Sequence, residues 1–485
     1  MAYIRGDRDQ TLLFPPAVED YIPPGDPVRA YDAFVDQLNL TELGIVVDEN
    51  QIGPPEFDPR VMLKILVYGP SYGIRSSRKL ERACHHNLSF IWLTGNLKPD
   101  YKTISRFRRN NREALAKVLG QCARLCVKLK LVEGNTLFVD GTKIKANASV
   151  DNSWSEERCR LLLKHADEKI KKILDDMEKL DQDEEHKDSF VQMEKHLSNK
   201  KALKERVANI LEQIKKENVE IINTTDPECA KVKDKQTYTA GYNVQSVVDD
   251  KNGLIVHNDV VTDANDAQQF SDQINKANTI IGGTCKTACA DAGYASTKEQ
   301  KEVADQNILV VVPSQRQARK EPMGPFAKEN FKYDPQSDTL TCPMGKTLIP
   351  AGCDGYVQQF RMKSKEDCLS CVHFGTCTSN KAQGRIVGRL VLQAEKDRFE
   401  KQYQENLHIY QKRKEKVEHP FGHIKANLGV QAFLLRGLKG VKAEASLLCT
   451  AFNLRRMITI LGVTGLILKL NETYYRQNSP KASPA

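Results

Sequence analysis

Three short segments of the 485-residue chain present a carboxylate in a setting that suits metal-assisted chemistry. The apolar residues 137–139 end at Asp140, a second run of small and apolar residues ends at Asp291, and Glu418 lies in a basic segment of helical character. A short apolar run that closes on an aspartate is typical of a buried strand that carries the side chain to the sheet edge. Carboxylates gathered there can hold two divalent metals that clamp the oxygens of a phosphoryl group, and Mg²⁺ or Mn²⁺ suits such ligands. Each aspartate alone could equally be a turn residue.

Glu418 precedes a lysine that helical geometry would place beside it. Lys425 follows seven positions later, which is about two turns of an α-helix, so the two side chains would share a face. A lysine at this place could hold a phosphate as a point charge. Pro420 is expected to kink or restart the helix between them, and Glu415 is the competing carboxylate.

Together these segments resemble the DDE transposases of bacterial insertion sequences. The stretches FVDGTKIKANAS, GYNVQSVVDD, ADAGYAS and VEHPFGHIK match one branch of that family in order, and the similarity covers roughly residues 57–461. The resemblance implies a ribonuclease H-like catalytic domain in which Asp140, Asp291 and Glu418 bind two Mg²⁺ or Mn²⁺ ions. It also implies an enzyme that hydrolyses phosphodiester bonds at the ends of a DNA element and joins the 3′-hydroxyl ends to target DNA. Because two ends must be joined, a homodimer or higher oligomer on double-stranded DNA, with terminal inverted repeats and target DNA as partners, is expected.

The last block of this family has the order Tyr, Arg, Glu and Lys. Tyr410 and Arg413 match its first two members, and the resemblance implies that they contact DNA. In the family the glutamate comes four positions after the arginine. In this chain that position is Val417, and Glu418 follows one position later. Lys414 would restore the interval to Glu418, but it breaks the interval from Tyr410.

Positive charge is concentrated near the N-terminus. Residues 60–112 carry four Lys and eight Arg against two acids, an excess of ten, whereas the whole chain has a net charge of +9. Short basic helices joined by tight turns are typical of phosphate contact and of helix-turn-helix-like readers, although a solvated helix face fits the same pattern. The residues expected to bind DNA, with those of the last family block, are Arg75, Arg78, Lys79, Lys102, Arg106, Arg108, Arg109, Arg112, Tyr410, Arg413 and Lys425.

The composition is that of an ordinary soluble globular protein, with 40% hydrophobic and 28% charged residues. The N-terminus lacks the pattern of a signal peptide, and the longest apolar run, residues 457–468, is too short to span a bilayer. We therefore expect a cytoplasmic, nucleoid-associated protein with no membrane partner. Its thirteen cysteines should be reduced or metal-bound.

Periodicity predicts strands and helices in sequence, and the resemblance implies a fold of the α/β class, α+β overall, with a mixed sheet flanked by helices. The expected order is the strand of Asp140, a hairpin turning at residues 250–253, a helix, the strand of Asp291, a second helix and a last strand. Asp266 and its neighbour Asn265 could face the cleft or cap the first of these helices. The resemblance supplies the ribonuclease H-like topology.

The predicted parts of the chain are six. They are an arm with little core of its own (1–56), a helical basic DNA-binding domain (57–130), the ribonuclease H-like domain (131–150 with 223–313 and 392–470), a helical-hairpin insertion (151–222), a cysteine-rich insertion with little core (314–391) and a disordered tail (471–485).

Four cysteines of the cysteine-rich insertion have a spacing that indicates a structural zinc site: Cys342, Cys368, Cys371 and Cys377. A Cys-x-x-Cys pair with two further thiols supplies tetrahedral Zn²⁺, and Cys353 and His373 are reserve ligands. A reduced, metal-free loop is the alternative. The other cysteines are expected to be buried small apolar residues: Cys84, Cys122, Cys126, Cys159, Cys229, Cys285, Cys289 and Cys449.

Two other functions fit the same residues. A nuclease or resolvase of the same fold would cut strands without joining them. A DNA-binding protein that has lost catalysis would use only its basic helices and its cysteine-rich insertion. The intact set of three acids speaks against the second alternative.

Overall fold

The structure is a computed structural model of the chain. It describes residues 17–47, 56–180, 187–234, 237–263, 265–320, 322 and 324–478. Much of the predicted arm, the predicted turn at 181–186 between the two insertion helices and the last seven residues of the predicted tail lie outside the described residues.

Seven helices open the described part: α1 (Pro27–Asp36), α2 (Leu40–Leu43), α3 (Pro59–Ser71), α4 (Ser77–His86), α5 (Leu88–Leu93), α6 (Tyr101–Asn110) and α7 (Arg112–Lys128). Asp58 caps α3 by accepting the backbone N–H of Arg60 at 2.7 Å, and Pro59 takes the first helical position, as the sequence predicts. Helix α6 is capped by Asp100, which accepts the N–H of Thr103 at 2.7 Å.

Helix α1 belongs to the main apolar core. Its residues Val28, Tyr31, Phe34 and Val35 are at most 1% exposed, and the helix packs against α3. This part of the predicted arm is therefore buried in a core that it shares with the helices that follow it.

Strand β1 (Thr136–Lys145) carries Asp140 and leads into the helical-hairpin insertion. The elements of the insertion are β2 (Ser153–Ser155), α8 (Glu156–Leu180), α9 (Lys187–Glu217) and β3 (Ile221–Asn223). Strands β2 and β3 pair antiparallel at its base, and Cys159, Val207 and Ile210 belong to a small separate core. Both helices of the predicted hairpin are present.

The chain then returns to the sheet through β4 (Ala230–Asp234), β5 (Thr237–Asp249), β6 (Ile255–Val261), α10 (Phe270–Ile281), β7 (Thr287–Cys289), α11 (Thr297–Ala304) and β8 (Leu309–Val311). The strand order is β4-β5-β1-β7-β8, with β6 paired to β5. Strand β5 runs antiparallel to β1, whereas β7 and β8 run parallel to it. The predicted hairpin is confirmed, and Gly253 takes the left-handed conformation that its turn requires, with φ of +65°.

Strand β1 is buried on both faces near its start. Leu137 and Val139 belong to one apolar cluster and Phe138 belongs to another, where Ile144 also lies. Because successive side chains of a strand point to opposite faces, Asp140 lies on the face of Phe138. Gly141 lies on the opposite face.

The cysteine-rich insertion forms a second sheet. Its elements are α12 (Gln315–Arg319), β9 (Lys332–Asp334), β10 (Thr339–Thr341), β11 (Thr347–Asp354), β12 (Val357–Met362), α13 (Glu366–Leu369) and β13 (Ile386–Leu390). The strands pair antiparallel in the order β13-β12-β11-β10-β9 and bury Leu340, Leu348 and Phe360 in a core of their own. The expectation of an insertion with little core was wrong, because two of these strands have only three residues and show no readable alternation.

Four helices complete the chain: α14 (Gln393–Glu405), α15 (Leu407–Gly422), α16 (Leu438–Leu461) and α17 (Val463–Asn478). Helix α15 passes through Pro420 and ends in a π-helical turn over His423–Asn427, so the irregularity follows the proline instead of starting at it. Helix α17 continues to Asn478, which corrects the predicted start of the tail at residue 471.

Helix α16 crosses the interior, and Leu447, Leu448, Ala451 and Leu454 are buried as predicted. Within the described residues, no single helix combines the length and the apolar composition that a membrane span needs. Helix α16 and the first part of α17 meet these criteria only together, across a bend of 106°.

Candidate active site

Asp140 and Asp291 emerge side by side from two parallel strands. Strand β1 pairs with β7 so that Phe138 lies opposite Cys289, and each strand reaches its aspartate two residues later. Asp291 accepts the backbone N–H of Gly293 at 2.7 Å and begins a short 3₁₀ turn. The structure thus brings together two of the three acids that the sequence predicts.

Asp140 is largely buried, and its environment disfavours its charge. Burial raises the pKa of its carboxyl to about 6, against an opposing effect of Arg413, and the nearby charges of Asp291 and Asp266 raise it further. A carboxylate in such a place is stabilised by a cation.

Arg413 of α15 supplies a positive charge to Asp140. Its Nη1 lies 3.3 Å from Asp140 Oδ1, and the two side chains are only 14% and 17% exposed. The guanidinium also lies over the ring of Tyr410, 5.6 Å from its centroid. Both residues, predicted from the family block to contact DNA, are therefore positioned beside the aspartates.

Lys425, in the π-helical turn that follows α15, contacts the strand that carries Asp140. Its Nζ donates to Thr142 Oγ1 at 2.6 Å and to the carbonyl of Lys143 at 3.1 Å. Thr142 shares the face of Asp140, two residues further along β1. Helix α15 and its π-helical turn thus contact β1 at Asp140 and at Thr142.

Asp266 is a third carboxylate at this end of the sheet. Its Oδ1 accepts from Asn243 Nδ2 and from Gln245 Nε2, both at 2.7 Å, and it lies 3.5 Å from Lys143 Nζ. Gln245 in turn accepts the hydroxyl of Tyr294. Helix α10 begins only at Phe270 and has no side-chain cap, so Asp266 faces the cleft, and the alternative of a helix cap was wrong.

Two glycines make room for Asp266. A Cβ on Gly141 would lie 2.7 Å from Gln245 Nε2 and 2.8 Å from Asp266 Oδ1. A Cβ on Gly293 would lie 2.8 Å from Asp291 Oδ1 and 3.7 Å from Asp266 Oδ2, which shows how close these two carboxylates are. The sequence carried one signal for this network, since the polar side chains of Asn243 and Gln245 lie two residues apart on one face of β5 and are at most 1% exposed.

Glu418 is not part of this cluster. It is exposed and makes no side-chain hydrogen bond or ion pair with another described residue. It follows Arg413 by five positions, which turns it about 140° away from that residue around the helix, and the intervening Val417 is buried in the core. Within the described ranges, no group of three or more His, Cys, Asp or Glu side chains has the arrangement of a formed metal site. The role of Glu418 as third ligand stays a prediction, and the competing Glu415 is also exposed.

The predicted DNA-binding residues of the N-terminal helices fall into two groups. Arg75 pairs with Glu444 at 2.7 Å and donates to the carbonyl of Ala432, and Arg108 donates to Arg75 O and Ser77 Oγ. Arg112 is half-buried. The members of the other group are exposed on α4 and α6, which pack together: Arg78, Lys79, Lys102, Arg106 and Arg109.

The four predicted zinc ligands share one small cavity. Cys342, Cys368, Cys371 and Cys377 line a space of about 30 Å³, which His373 also lines. Burial raises the pKa of the Cys377 thiol, Arg385 lowers it, and the other three thiols raise it further. Backbone N–H groups donate to two of the sulfurs, from Lys346 to Cys342 at 3.3 Å and from Arg385 to Cys368 at 3.4 Å. Cys353 is exposed and lies outside this cavity.

The eight other cysteines are all buried, as predicted.

Comparison with known proteins gave three results. A transposase domain family, DUF772, matches residues 16–110, and a transposase DDE domain family matches residues 341–458, which include Glu418 but neither aspartate. A search of curated proteins found no match. Among solved structures, the chain is similar to a piggyBac transposase in a synaptic complex with hairpin DNA, determined by cryo-EM. The identity is 9% and the TM-score 0.35, over 95% of this chain and 83% of that chain.

Proposed function

Because this chain belongs to the DDE transposases, we propose that it cleaves the ends of a mobile DNA element and joins the freed 3′-hydroxyl groups to target DNA. The observation that carries this proposal is that Asp140, in the middle of β1, lies just beyond the pairing of β1 with β7, where Asp291 follows the end of β7. Two carboxylates at this spacing offer the oxygen ligands that phosphoryl-transfer metals prefer.

The catalytic domain is proposed to be ribonuclease H-like. Support comes from the strand arrangement, in which β6, β5 and β1 are antiparallel neighbours and β7 and β8 continue parallel to β1. Support also comes from the chain order, because the second aspartate follows the hairpin and a helix, and Glu418 comes on a later helix.

Asp140 and Asp291 would hold Mg²⁺ or Mn²⁺, with Glu418 as the third ligand that the sequence predicts. The fit is one of donor chemistry: two carboxylates lie beside each other on neighbouring strands, and burial raises the pKa of one of them to about 6. When bound, the ions would activate the attacking water or 3′-hydroxyl and neutralise charge on the phosphate. Arg413 would hold the Asp140 carboxylate in place, and Lys425 would steer a phosphate toward β1 as a point charge.

Double-stranded DNA is the proposed partner, both as terminal inverted repeats and as target. The exposed cations of α4 and α6, such as Lys79, Lys102 and Arg106, form one positive surface that suits the phosphate backbone. Arg75 and Arg108 would instead support this surface from within, because their guanidinium groups are bonded inside the protein. Joining two ends requires at least two active sites, so a homodimer or higher oligomer, associated with the nucleoid, is proposed.

The test is a strand-transfer assay with the purified full-length protein. The donor is a duplex made from the DNA that flanks the gene, with a free 3′-hydroxyl, and the target is a supercoiled plasmid in Mg²⁺. We expect covalent joining of donor to plasmid. Nicking without joining would favour a nuclease or resolvase, and failure of both reactions with either flank would contradict the proposed function.

Structural zinc is proposed for the four-thiol cavity of the cysteine-rich insertion. Its support is that four soft ligands line one small space and that two of the sulfurs accept backbone N–H groups, which stabilise a thiolate. Among the described residues, these thiols do not yet have the arrangement that holds a metal ion. Metal binding would therefore require the four sulfurs to move closer together. The site would be closed and would serve stability alone.

Zinc content tests this proposal directly. We expect the wild-type protein, expressed in zinc-supplemented medium, to contain about one zinc per chain and to lose it in Cys371→Ser, with a lower thermal midpoint. Cys353→Ser is the matched control, because it removes a thiol of the same sheet from outside the cavity. Wild-type protein without stoichiometric zinc by mass spectrometry would reject the site, as would equal zinc content in the two variants.

A further inference from the structure

A large cavity lies between the N-terminal and C-terminal helices, and the proposed reaction does not use it. Its volume is about 620 Å³, within the usual range of small-ligand sites. We call it the His–Arg cavity. The lining residues that matter here are Tyr31, Tyr72, His419, His423, Arg455 and Arg456.

The charged side chains that line the His–Arg cavity in the described part of the chain are all basic. Two arginines and two histidines line it, and no Asp or Glu among the described residues does. A second cavity of similar volume, about 660 Å³, is lined by Arg60, Arg124 and Lys128 but also by three acids, Asp36, Glu42 and Asp58. The difference in charge at matched size indicates that the His–Arg cavity suits an anion.

The arginines of the cavity retain donors for a ligand. Arg455 donates one N–H to the carbonyl of Ser71 at 3.2 Å, and Arg456 donates its Nε–H to the carbonyl of Asn252 at 3.0 Å. A guanidinium has five N–H donors in a fixed fork. These backbone contacts therefore hold the two side chains in place and leave further donors for phosphate oxygens.

His423 also has unused hydrogen-bonding capacity. Its Nδ1 faces Asn427 Nδ2 at 3.1 Å, whereas its Nε2 is buried and has no hydrogen-bond partner among the described residues. An unpaired buried polar atom is unfavourable. With a ligand in the cavity, a small rotation of the His423 ring would give its Nε2 atom a hydrogen-bond partner.

Aromatic rings complete the lining. The rings of His419 and His423 each meet Phe452 edge to face at 5.6 Å, and Tyr31 and Tyr72 line the cavity as well. Cations beside aromatic faces are the combination with which proteins bind single-stranded nucleic acid, since the cations hold phosphates and the rings cover bases or sugars.

We propose that the His–Arg cavity binds one nucleotide of a single DNA strand, through its phosphate on the arginines and histidines and its base or sugar against the aromatic rings. The proposal rests on the proposed function, because it assigns the DNA substrate a second contact beside the helix that carries Glu418. His419 follows Glu418 directly, so this helix would link the bound strand to the catalytic residues.

The experiment measures binding of fluorescein-labelled dT12 by fluorescence anisotropy over a range of salt concentrations. We expect Arg455→Gln to weaken binding about tenfold and to reduce the slope of log affinity against log salt by about 0.7, the value for one phosphate of a single strand. Arg455→Lys should restore part of the affinity, because it keeps the charge. Arg124→Gln is the matched control, since it removes one arginine from the charge-balanced cavity and should bind dT12 like the wild type.

A second variant distinguishes a loss of DNA binding from a loss of folding. His423→Gln removes the hydrogen bond to Asn427 and the ring contacts with His419 and Phe452. It should weaken dT12 binding while the thermal midpoint stays well above the assay temperature. Wild-type affinity in both cavity variants, or an equal loss in Arg124→Gln, would overturn the proposal. Full competition by inorganic phosphate at the same phosphate concentration would also overturn it, in favour of a free-phosphate site. Binding is measured without catalysis, so a failure here is distinguishable from a failure of the strand-transfer assay.

Discussion

Asp140→Asn is expected to abolish strand cleavage and strand joining while DNA binding is retained. The amide cannot supply the negative oxygen that would hold a catalytic cation between β1 and β7, where Asp140 and Asp291 emerge together. The loss should be on the order of 10³-fold or more, because the missing charge stabilisation is worth several kcal/mol. The measurement is the rate of strand transfer in Mg²⁺, beside the affinity for the donor duplex.

Asp250→Asn provides the matched control for Asp140→Asn. Asp250 is also a carboxylate that pairs with α15, through Lys412 and Lys416 at 3.7 Å. It lies in the turn after β5, beside the first residue of β1, whereas Asp140 lies four residues further along that strand. Asp250→Asn should keep nearly all activity. Equal activity of Asp140→Asn and wild type would remove the carboxylate site from the mechanism.

The same assay identifies the third acid. Glu418→Gln is expected to be as inactive as Asp140→Asn if the prediction from the family block is right. Asp266→Asn is the informative comparison. Asp266 lies near Asp291, whereas Glu418 is exposed and lies outside this cluster. Full activity in Glu418→Gln with loss in Asp266→Asn would transfer the role to Asp266.

Glu444→Ala is expected to destabilise the protein more than any exposed change. The side chain is 8% exposed and accepts from Arg75 at 2.7 Å and from the backbone N–H groups of Leu434 and Leu435, each at 2.9 Å. Its removal leaves a buried guanidinium and two backbone donors unpaired. The expected loss is about 3–5 kcal/mol, measured as a lower midpoint of urea unfolding.

Glu113→Ala tests whether burial is the cause. Glu113 pairs with Lys439 at the same distance of 2.7 Å, and Lys439 lies on α16 like Glu444, but the two side chains are 72% and 74% exposed. Exposed pairs contribute about 0–1 kcal/mol, so this variant should unfold close to wild type. Similar midpoints for Glu444→Ala and Glu113→Ala would contradict the interpretation.

The Arg75–Glu444 pair also decides the role of Arg75. If Arg75 supports the fold, Arg75→Ala and Glu444→Ala should show a strong coupling energy in a double-mutant cycle. If it contacts DNA instead, Arg75→Ala should lower DNA affinity with little change in stability. Counting charges along the chain could not separate these cases, because a count of arginines contains no information on burial.

Local patterns along the chain predicted much of the architecture. The hairpin at residues 250–253, the two insertion helices, the burial of α16 and the eight buried cysteines follow from alternation, helical periodicity and residue chemistry. These signals act over a few residues, so the chain shows them directly. The sheet of the cysteine-rich insertion was not predicted, because strands such as Lys332–Asp334 are too short to show a period.

Which side chains lie next to one another at the candidate site depends on the tertiary structure. Asp140 and Asp291 could be expected to meet from the strand order, but Arg413 beside Asp140, Asp266 beside Asp291 and the outward position of Glu418 could not. Each depends on which face of a strand or helix is turned inward, and a shift of one residue, as between Val417 and Glu418, changes the direction of a side chain by about 100°. Residue types and order thus determined the class of chemistry, and the packing of α15 on β1 determined which of these groups lie together.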